Sequence, residues 1–212
     1  MPLQIKEFSL GQLQNNIFVI FDESTKQAII VDPSFQSQPI LDFVNENSLN
    51  VESILCTHAH FDHFAGVALT AESLTPPPKI LLNEKDHALW EDGGGSKHFN
   101  SSIKLPPQPD RFLAHGQILQ MGKEQLEIRE VPGHSPGSII LYIPSLKTAI
   151  CGDAIFRESI GRTDLADGDH ELLLKSIREQ VFTLPDETIL LPGHGPHTTV
   201  EHEKMFNPFL ND

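Results

Sequence analysis

The chain has 212 residues, of which 39% are hydrophobic, and this length and composition predict a single domain over residues 1–212 with a layered core. Its 29 acidic and 15 basic residues give a formal net charge of -14, which disfavours nucleic acid and anionic membrane surfaces as partners. No stretch offers the roughly 20 apolar residues of a membrane span, and the start lacks the apolar core of a secretory signal.

Two cysteines occur, Cys56 and Cys151. Each ends an apolar run, so we expect buried free thiols rather than metal ligands or nucleophiles. A chain without a disulfide framework is typical of a reducing compartment. We therefore expect a cytoplasmic protein that acts as a monomer or a weak oligomer.

The first part of the chain is predicted to alternate strands with helices. Residues 16–21 and 27–31 are rich in β-branched and aromatic residues and flank a polar turn, which predicts a hairpin. Apolar residues at helical spacing predict a helix over 38–49. Further predicted elements are a strand at 51–57, the start of a helix at 64–69, a strand at 79–82 and a short helix at 84–90.

Three glycines, Gly93, Gly94 and Gly95, interrupt the middle of the chain. No change of composition accompanies them, so we predict a mobile surface loop rather than a domain linker. The second half is again rich in strands, predicted at 125–131, 138–143, 148–151 and 188–191. It also contains a predicted helix over 172–182 that begins near Gly168 or Asp169. Two β-rich halves with helices favour an α/β fold in which two sheets pack face to face beneath outer helices.

A dense group of potential metal ligands follows the strand at 51–57. It consists of His58, His60, Asp62 and His63. Neutral imidazole and carboxylate are ligands that zinc and iron accept. Four such groups on one loop, with others elsewhere in the chain, predict two metal ions side by side.

Three later segments share one pattern, in which an apolar strand is followed by a glycine and then by one potential ligand. The ligands are His134, Asp153 and His194. A single histidine after a strand is more often an ordinary turn residue, but the repetition in three loops predicts convergence with the first group. The remaining histidines lack the pattern. We expect His87, His98, His115, His170 and His202 to be solvated, and His197 to lie near the site without binding metal.

These seven residues together resemble the five-motif signature of the metallo-β-lactamase superfamily, and the resemblance extends along the whole chain. It implies an αβ/βα four-layer sandwich with the active site along one edge. It also implies two divalent metal ions, for which zinc is expected and iron or manganese are alternatives. The implied ligands are His58, His60 and His134 for the first metal, Asp62, His63 and His194 for the second, and Asp153 between the two.

Residues 152–156 and 161–164 resemble the hydroxyacylglutathione hydrolases, also called glyoxalase II, and residues 204–210 resemble the small bacterial-type members of that group. The resemblance implies that a metal-bridging hydroxide, oriented by the catalytic Asp62, cleaves a thioester of the S-2-hydroxyacylglutathione type to a hydroxy acid and a thiol. A thiolate with a pKa of about 8.5 departs without a strong general acid, and the sequence offers no obvious acid for an amide nitrogen.

The binding of glutathione is the open part of this expectation. Longer members of the group hold glutathione through basic residues of an additional C-terminal helical region, whereas this chain ends soon after His194. Arg162 is the one basic residue near the site in sequence, and it fits either an anionic substrate group or a structural ion pair. We expect a small-molecule thioester as the partner, with glutathione bound weakly or differently.

Persulfide dioxygenases provide the alternative, because they resemble the same two segments. On this alternative, one iron ion is bound by His58, His134 and Asp153, as in the facial triads of non-haem iron oxygenases. β-Lactam hydrolysis and nuclease activity rank lower, the latter because the chain is short and acidic. A purely structural metal site is disfavoured, since such sites are usually closed and rich in cysteine.

Overall fold

The computed structural model describes residues 3–165 and 167–211. The early strands are β1 Gln4–Leu10, β2 Asn15–Phe21, β3 Gln27–Val31, β4 Asn50–Leu55, β5 Lys79–Asn83 and β6 Arg111–Leu113. The later strands are β7 Ile118–Met121, β8 Glu124–Glu130, β9 Ile139–Ile143, β10 Thr148–Gly152, β11 Ile155–Phe156, β12 Ser159–Ile160, β13 Ile189–Pro192 and β14 Thr198–Thr199. The α-helices are α1 Gln38–Glu46, α2 Phe61–Phe64, α3 Val67–Ser73, α4 His87–Glu91, α5 His170–Ser176 and α6 Val200–Phe206.

The strands form two six-stranded sheets and one small hairpin. The first sheet has the order β1-β2-β3-β4-β5-β6, the second has the order β14-β13-β10-β9-β8-β7, and β11 pairs with β12. Strands β3 to β6 run parallel, as do β10 and β13. Parallel neighbours end at the same edge of a sheet, so the loops that follow β3, β4, β10 and β13 can meet.

Strand β2 explains how the layers assemble, because all seven of its residues are buried. Successive side chains of a strand point to opposite faces. Ile17, Val19 and Phe21 pack beneath the helices α1 to α4, together with Phe64 and Trp90. Phe18 and Ile20 point the other way, into the core between the two sheets. The strand is therefore continuously apolar from Ile17 to Phe21, as expected for a strand covered on both faces.

The second sheet is covered on its outer face by α5 and α6. Leu173 and Val200 of these helices pack with Ile140 and Cys151 of the sheet. The result is the sandwich of helix, sheet, sheet and helix layers that the resemblance implied, and the fold prediction is confirmed. Within the described ranges, no helix is both long enough and apolar enough to cross a bilayer.

Most of the predicted strands are present with shifts of one or two residues at their ends. Helix α1 ends at Glu46, three residues earlier than predicted, because the backbone and side chain of Asn47 turn back to bond the carbonyl of Phe43 and Ser48 has a φ of +52°. The helix predicted from residue 64 is interrupted, since α2 ends at Phe64 and α3 begins at Val67. Asp169 caps α5 by accepting a hydrogen bond from the backbone N–H of Leu172.

The prediction of a surface loop at the three glycines is wrong. Gly93 and Gly94 are buried, and the carbonyl of Gly94 accepts a 3.0 Å hydrogen bond from the backbone N–H of Phe61. A Cβ atom on Gly94 would lie 2.4 Å from that nitrogen and 2.7 Å from the carbonyl oxygen of Ala59. The glycine is therefore required by close packing against the loop that carries the histidine cluster.

The prediction for the two cysteines is confirmed, because both are free and buried. Burial raises the pKa of Cys151 to about 12 and also raises the pKa of Cys56. Neither thiol is therefore an available thiolate ligand or nucleophile near neutral pH.

Candidate metal centre

The histidine cluster lies on the loop that leaves β4, at the carboxyl edge of the first sheet. His58 and His60 precede the short helix α2, and Asp62 and His63 lie within it. All four residues are buried, with exposed fractions between 0% and 8%. The one-turn helix α2 reverses the chain between β4 and α3. As a result, the four side chains lie on the same side of the loop.

Three imidazoles converge at one end of the site. Nδ1 of His60 lies 2.8 Å from Nε2 of His134, which in turn lies 3.2 Å from Nε2 of His58. Burial, followed by the neighbouring His134, lowers the pKa of His60 to about 3. Burial also holds the pKa of His58 well below its ordinary value. The rings of His58 and His60 are therefore neutral and offer lone pairs, the form in which histidine binds metal.

A second group lies beside the first and contains Asp62, His63 and His194. Oδ2 of Asp62 lies 3.2 Å from Nε2 of His194 and 3.6 Å from Nε2 of His63. Burial alone would raise the pKa of Asp62, but His63 and the hydrogen bonds from His194 and Asn15 hold that pKa below its usual range. Asp62 is therefore an ionised carboxylate.

Asp153 lies between the two groups. Its Oδ1 is 3.2 Å from Nε2 of His63, and its Oδ2 is 3.8 Å from Nε2 of His134 and 3.7 Å from Nε2 of His194. A Cβ atom on Gly193 would lie 2.3 Å from Oδ1 of Asp153. The glycine before His194 thus leaves room for the carboxylate, which explains part of the strand-glycine-ligand pattern.

The donor set fits metal ions. Nε2 of His63 and Oδ1 of Asp153 are buried and face each other at 3.2 Å without the geometry of a hydrogen bond. An unpaired buried polar atom costs about 1–3 kcal/mol, so two of them facing each other indicate a missing partner. The ligand atoms of His58, His60 and His134 lie within 4.8 Å of one another, and so do those of Asp62, His63 and His194. Either trio could hold a cation.

Asp32, which directly follows β3, orients one of these rings. Its Oδ2 lies 3.0 Å from Nδ1 of His63 and accepts a 2.6 Å hydrogen bond from the hydroxyl of Thr57. Its Oδ1 accepts the backbone N–H of Thr57 at 2.7 Å. Both oxygens are engaged, so Asp32 is a partner of a potential ligand rather than a ligand itself. Such carboxylate–histidine pairs fix the ring and its tautomer.

Asp86 ties together the two loops that carry the first trio. Its Oδ2 accepts hydrogen bonds from the backbone N–H of Ala59 at 2.8 Å and from the hydroxyl of Ser135 at 2.7 Å. Its Oδ1 accepts from the backbone N–H of Gly137 at 2.6 Å. Burial raises the pKa of Asp86 against the effect of these hydrogen bonds. A fully buried carboxyl group thus joins these two loops.

Two asparagines at the start of β2 hold the last loop against the first hairpin. Nδ2 of Asn15 donates to Oδ2 of Asp62 at 2.9 Å. Nδ2 of Asn16 donates to the carbonyl oxygens of Pro192 at 3.0 Å and Gly195 at 2.8 Å. The ring of His194 is fixed as well, because its Nδ1 lies 2.9 Å from the carbonyl oxygen of Leu13.

A cavity of about 270 Å³ opens onto the two groups. Arg162 lines it, and its guanidinium forms a two-point ion pair with Asp164 at 2.7 and 2.8 Å. The hydrogen bond from Arg162 lowers the pKa of Asp164 to about 2. The carbonyl oxygen of Arg162 lies 2.8 Å from Nδ1 of His134. Arg162 is thus both a structural partner and a half-exposed cation at the cavity.

A larger groove of about 980 Å³ lies at the opposite ends of β4 and β5.

The remaining histidines lie outside this constellation. Nε2 of His197 forms a 2.8 Å ion pair with Glu7 rather than contacting a potential ligand. His98, His115 and His170 are exposed, as predicted, whereas His87 is half-buried with its Nε2 2.6 Å from Oε1 of Gln108. His202 differs from the prediction, because it is half-buried and lies 2.9 Å from a carboxylate oxygen of Glu158.

Sequence reasoning missed the three residues that position the potential ligands, Asn15, Asp32 and Asp86. A usable signal existed only for Asp32, an acidic residue between a buried strand and a proline. Asp86 lies within the predicted helix 84–90 and Asn15 at a strand end, where polar residues are ordinary. Their roles depend on contacts across 27 to 51 residues of chain, which a local pattern does not report.

Comparisons of this chain with a family model and with known proteins point to the same family. A model described as the metallo-β-lactamase superfamily matches residues 10–194. The probable metallo-hydrolase YqgX of Bacillus subtilis (strain 168) is 37% identical over 207 residues, covering 97% of each chain. The hydroxyacylglutathione hydrolase GloC of Haemophilus influenzae is 36% identical over 211 residues, covering 99% of each chain.

Solved structures agree with this. The crystal structure of the BLEG-1 B3 metallo-β-lactamase superposes with a TM-score of 0.91 at 35% identity, covering 99% of this chain and 100% of that one. The crystal structure of TTHA1623 in a di-iron-bound form superposes with a TM-score of 0.86 at 34% identity, covering 97% of this chain and 100% of that one.

Proposed function

The chain belongs to the metallo-β-lactamase superfamily, and we propose that it hydrolyses thioesters of the S-2-hydroxyacylglutathione type to a hydroxy acid and a thiol. Members of this superfamily bind divalent metals, typically two. The observation that carries the proposal is the convergence of seven buried or half-buried histidine and aspartate side chains from four loops, five of which line one cavity.

We assign His58, His60 and His134 to the first metal, Asp62, His63 and His194 to the second, and Asp153 to both. The neutral state of His58 and His60 and the unpaired atoms of His63 and Asp153 support this assignment. Zinc is the proposed metal, since imidazole and carboxylate suit it. Iron and manganese remain alternatives, and the di-iron form of TTHA1623 is a reason to test iron directly.

When bound, two such cations supply a water that deprotonates near neutral pH and Lewis-acid stabilisation of the oxyanion. The protein's own contribution is orientation. Asn15 holds Oδ2 of Asp62, which leaves Oδ1 free to accept a hydrogen bond from the attacking water. A carbon–oxygen bond then forms at the carbonyl carbon, the carbon–sulfur bond breaks, and the thiolate leaves with the electron pair.

The cavity favours a thioester over an amide. Apart from the proposed ligands, its one titratable lining residue among those described is Arg162, whose guanidinium does not act as an acid at neutral pH. A thiolate leaving group has a pKa of about 8.5 and departs unaided, whereas an amide nitrogen needs a proton. We propose that Arg162 instead contacts a carboxylate of glutathione, in competition with Asp164.

The second candidate function is the oxidation of a persulfide by an enzyme with a single iron ion. His58, His134 and Asp153 support it, because Nε2 of His134 lies within 3.2 Å of Nε2 of His58 and within 3.8 Å of Asp153. We rank it second because it leaves the converging donor atoms of Asp62, His63 and His194 without a metal. We place the protein in the cytosol, in keeping with two free buried thiols, as a monomer or weak oligomer.

The test is steady-state release of glutathione from S-lactoylglutathione by protein loaded with zinc, iron or manganese, together with elemental analysis of unsupplemented protein. We expect about two metal ions per chain and saturable thiol release that is lost in Asp153→Ala. A β-lactam serves as a parallel substrate, because the BLEG-1 structure is that of a B3 metallo-β-lactamase. One iron per chain with oxygen uptake on glutathione persulfide, or β-lactam cleavage without thioester cleavage, would contradict the proposal.

A further inference from the structure

An apolar trough extends the metal cavity on one side. A second cavity, of about 450 Å³, is lined by Leu13, Phe35, Phe61 and Phe99. Leu13, Phe61 and Phe99 also line the metal cavity, so the two spaces share a wall. Together these four side chains form a continuous apolar surface that begins at the proposed metal ligands and runs away from them; we call it the apolar trough.

The trough is open at Leu13 and Phe99, whereas Phe35 and Phe61 form its more buried part. Leu13 is 53% exposed and Phe99 is 48% exposed. The ring of Phe61 lies 5.4 Å from that of Phe99 and 6.2 Å from that of Phe35. An exposed aromatic and aliphatic surface beside a candidate active site is a typical binding surface.

The other groups at the trough are uncharged. They are the amides of Gln12, Gln36 and Asn100 and the hydroxyl of Ser101. Arg162 lines the metal cavity but not the trough. An anionic group in the trough would therefore lose its hydration without gaining a cation among the described lining residues. An apolar group there would instead gain by covering exposed carbon atoms, at about 25 cal/mol per Å² of surface removed from water.

The walls of the trough are coupled to the metal centre. Leu13 holds the ring of His194 through its carbonyl oxygen. Phe61 lies between His60 and Asp62 in sequence, and its backbone N–H is fixed by Gly94. A group seated in the trough is therefore held at a defined distance from the reacting carbonyl, as required for rate enhancement through positioning.

We infer that the trough binds the side chain of the acyl group and that the preferred substrates carry a bulky aromatic or branched aliphatic 2-hydroxyacyl group. The inference rests on the proposed function. It assigns the two arms of the thioester to different sides of the metals, with the charged glutathione arm toward Arg162 and the acyl side chain toward Phe99. A lactoyl group has only a methyl at this position and leaves the trough unfilled.

The experiment compares three glutathione thioesters that differ only in the acyl side chain, namely lactoyl, 2-hydroxy-4-methylpentanoyl and mandeloyl. The leaving thiol is the same, so differences in kcat/KM report the acyl side chain. We expect mandeloyl to exceed lactoyl by about tenfold or more, the usual selectivity of an apolar pocket. In Phe99→Ser the mandeloyl-to-lactoyl ratio should fall about tenfold. The control is Leu69→Ser, which removes a side chain that is 45% exposed on α3, and it should leave the ratio unchanged.

The outcomes separate the inference from the function on which it rests. A wild-type ratio of one or less, or an equal fall for both substrates in Phe99→Ser, overturns the inference and leaves thioester hydrolysis standing. Absence of thiol release from all three thioesters overturns the proposed function and the inference with it. Competitive inhibition by mandelate and lactate gives a binding readout independent of turnover, and equal inhibition constants also overturn the inference.

Discussion

Replacing the buried Asp86 should weaken one half of the metal centre and leave the other intact. In Asp86→Asn, the amide has a single oxygen, so it can accept the backbone N–H of Ala59 or that of Gly137 but not both. One buried N–H is then left without an acceptor, which costs about 1–3 kcal/mol of unfolding free energy. In Asp86→Ala both N–H groups lose their acceptor, and the expected cost is about 2–6 kcal/mol.

The same substitution loosens the junction between the loops that carry His58 and His60 on one side and His134 on the other. Loss of a group that orients metal ligands typically lowers metal affinity by about 10–100-fold. The loss should fall on the metal that we assign to these three histidines. Asp62, His63 and His194 are held instead by Asn15, Asp32 and the carbonyl oxygen of Leu13. Their site should therefore keep its affinity for metal.

Urea unfolding of the apoprotein measures the first effect, with the fluorescence of Trp90, the single tryptophan, as the probe. Titration with a chelator that competes for metal measures the second. The matched control is Asp110→Asn, because Oδ2 of Asp110 also accepts a backbone N–H, that of Ile80 at 2.8 Å, but is exposed and remote from the site. If Asp86→Asn is no more destabilising than Asp110→Asn, or if both metals weaken equally, the reasoning is refuted.

Three further predictions concern the neighbours of the site. Asp32→Asn should weaken the metal bound by His63 about 10–100-fold, measured by chelator competition, and an unchanged affinity would show that the ring needs no carboxylate. Gly94→Ala should destabilise the protein by clearly more than the roughly 1 kcal/mol expected at a positive φ, because the new Cβ would lie 2.4 Å from a backbone nitrogen. Gly95→Ala is the matched control, since a Cβ there has nothing within 4 Å. Equal unfolding free energies of the two variants would refute the packing argument. Asp153→Ala, or removal of metal by a chelator, should abolish thiol release while the far-ultraviolet circular dichroism stays native, and unfolding would show that the metals hold the fold together.

The sequence was sufficient to predict the layered fold, because each buried strand carries its own signal. Strand β2 is apolar from Ile17 to Phe21, since this part is covered on both faces, and such runs are recognisable without tertiary information. Strand β1 was not predicted, because its residues are exposed or half-buried and its pairing with β2 is its principal determinant. Strand β14 contains only two residues, too few for any periodicity.

The candidate ligands could be found for a similar reason, since glycine followed by histidine or aspartate at the end of an apolar strand is a local pattern. The surface-loop prediction for Gly93 and Gly94 failed because glycine serves two needs, freedom of the backbone and absence of a side chain. A sequence does not distinguish them. Here the second need dominates, because the loop before α2 packs directly against Gly94.

The contact between Asn15 and the last ligand loop also bears on when this protein becomes competent during its synthesis. Asn15 and His194 are 179 positions apart in the chain, and ribosomes deliver residues in order at about 5–20 per second. A nascent polypeptide that has already built its first sheet still lacks His194, the last of the proposed metal ligands, and its contact with Asp62. The proposed activity therefore requires that the chain through His194 has been synthesised, and a product that ends before this residue should lack it.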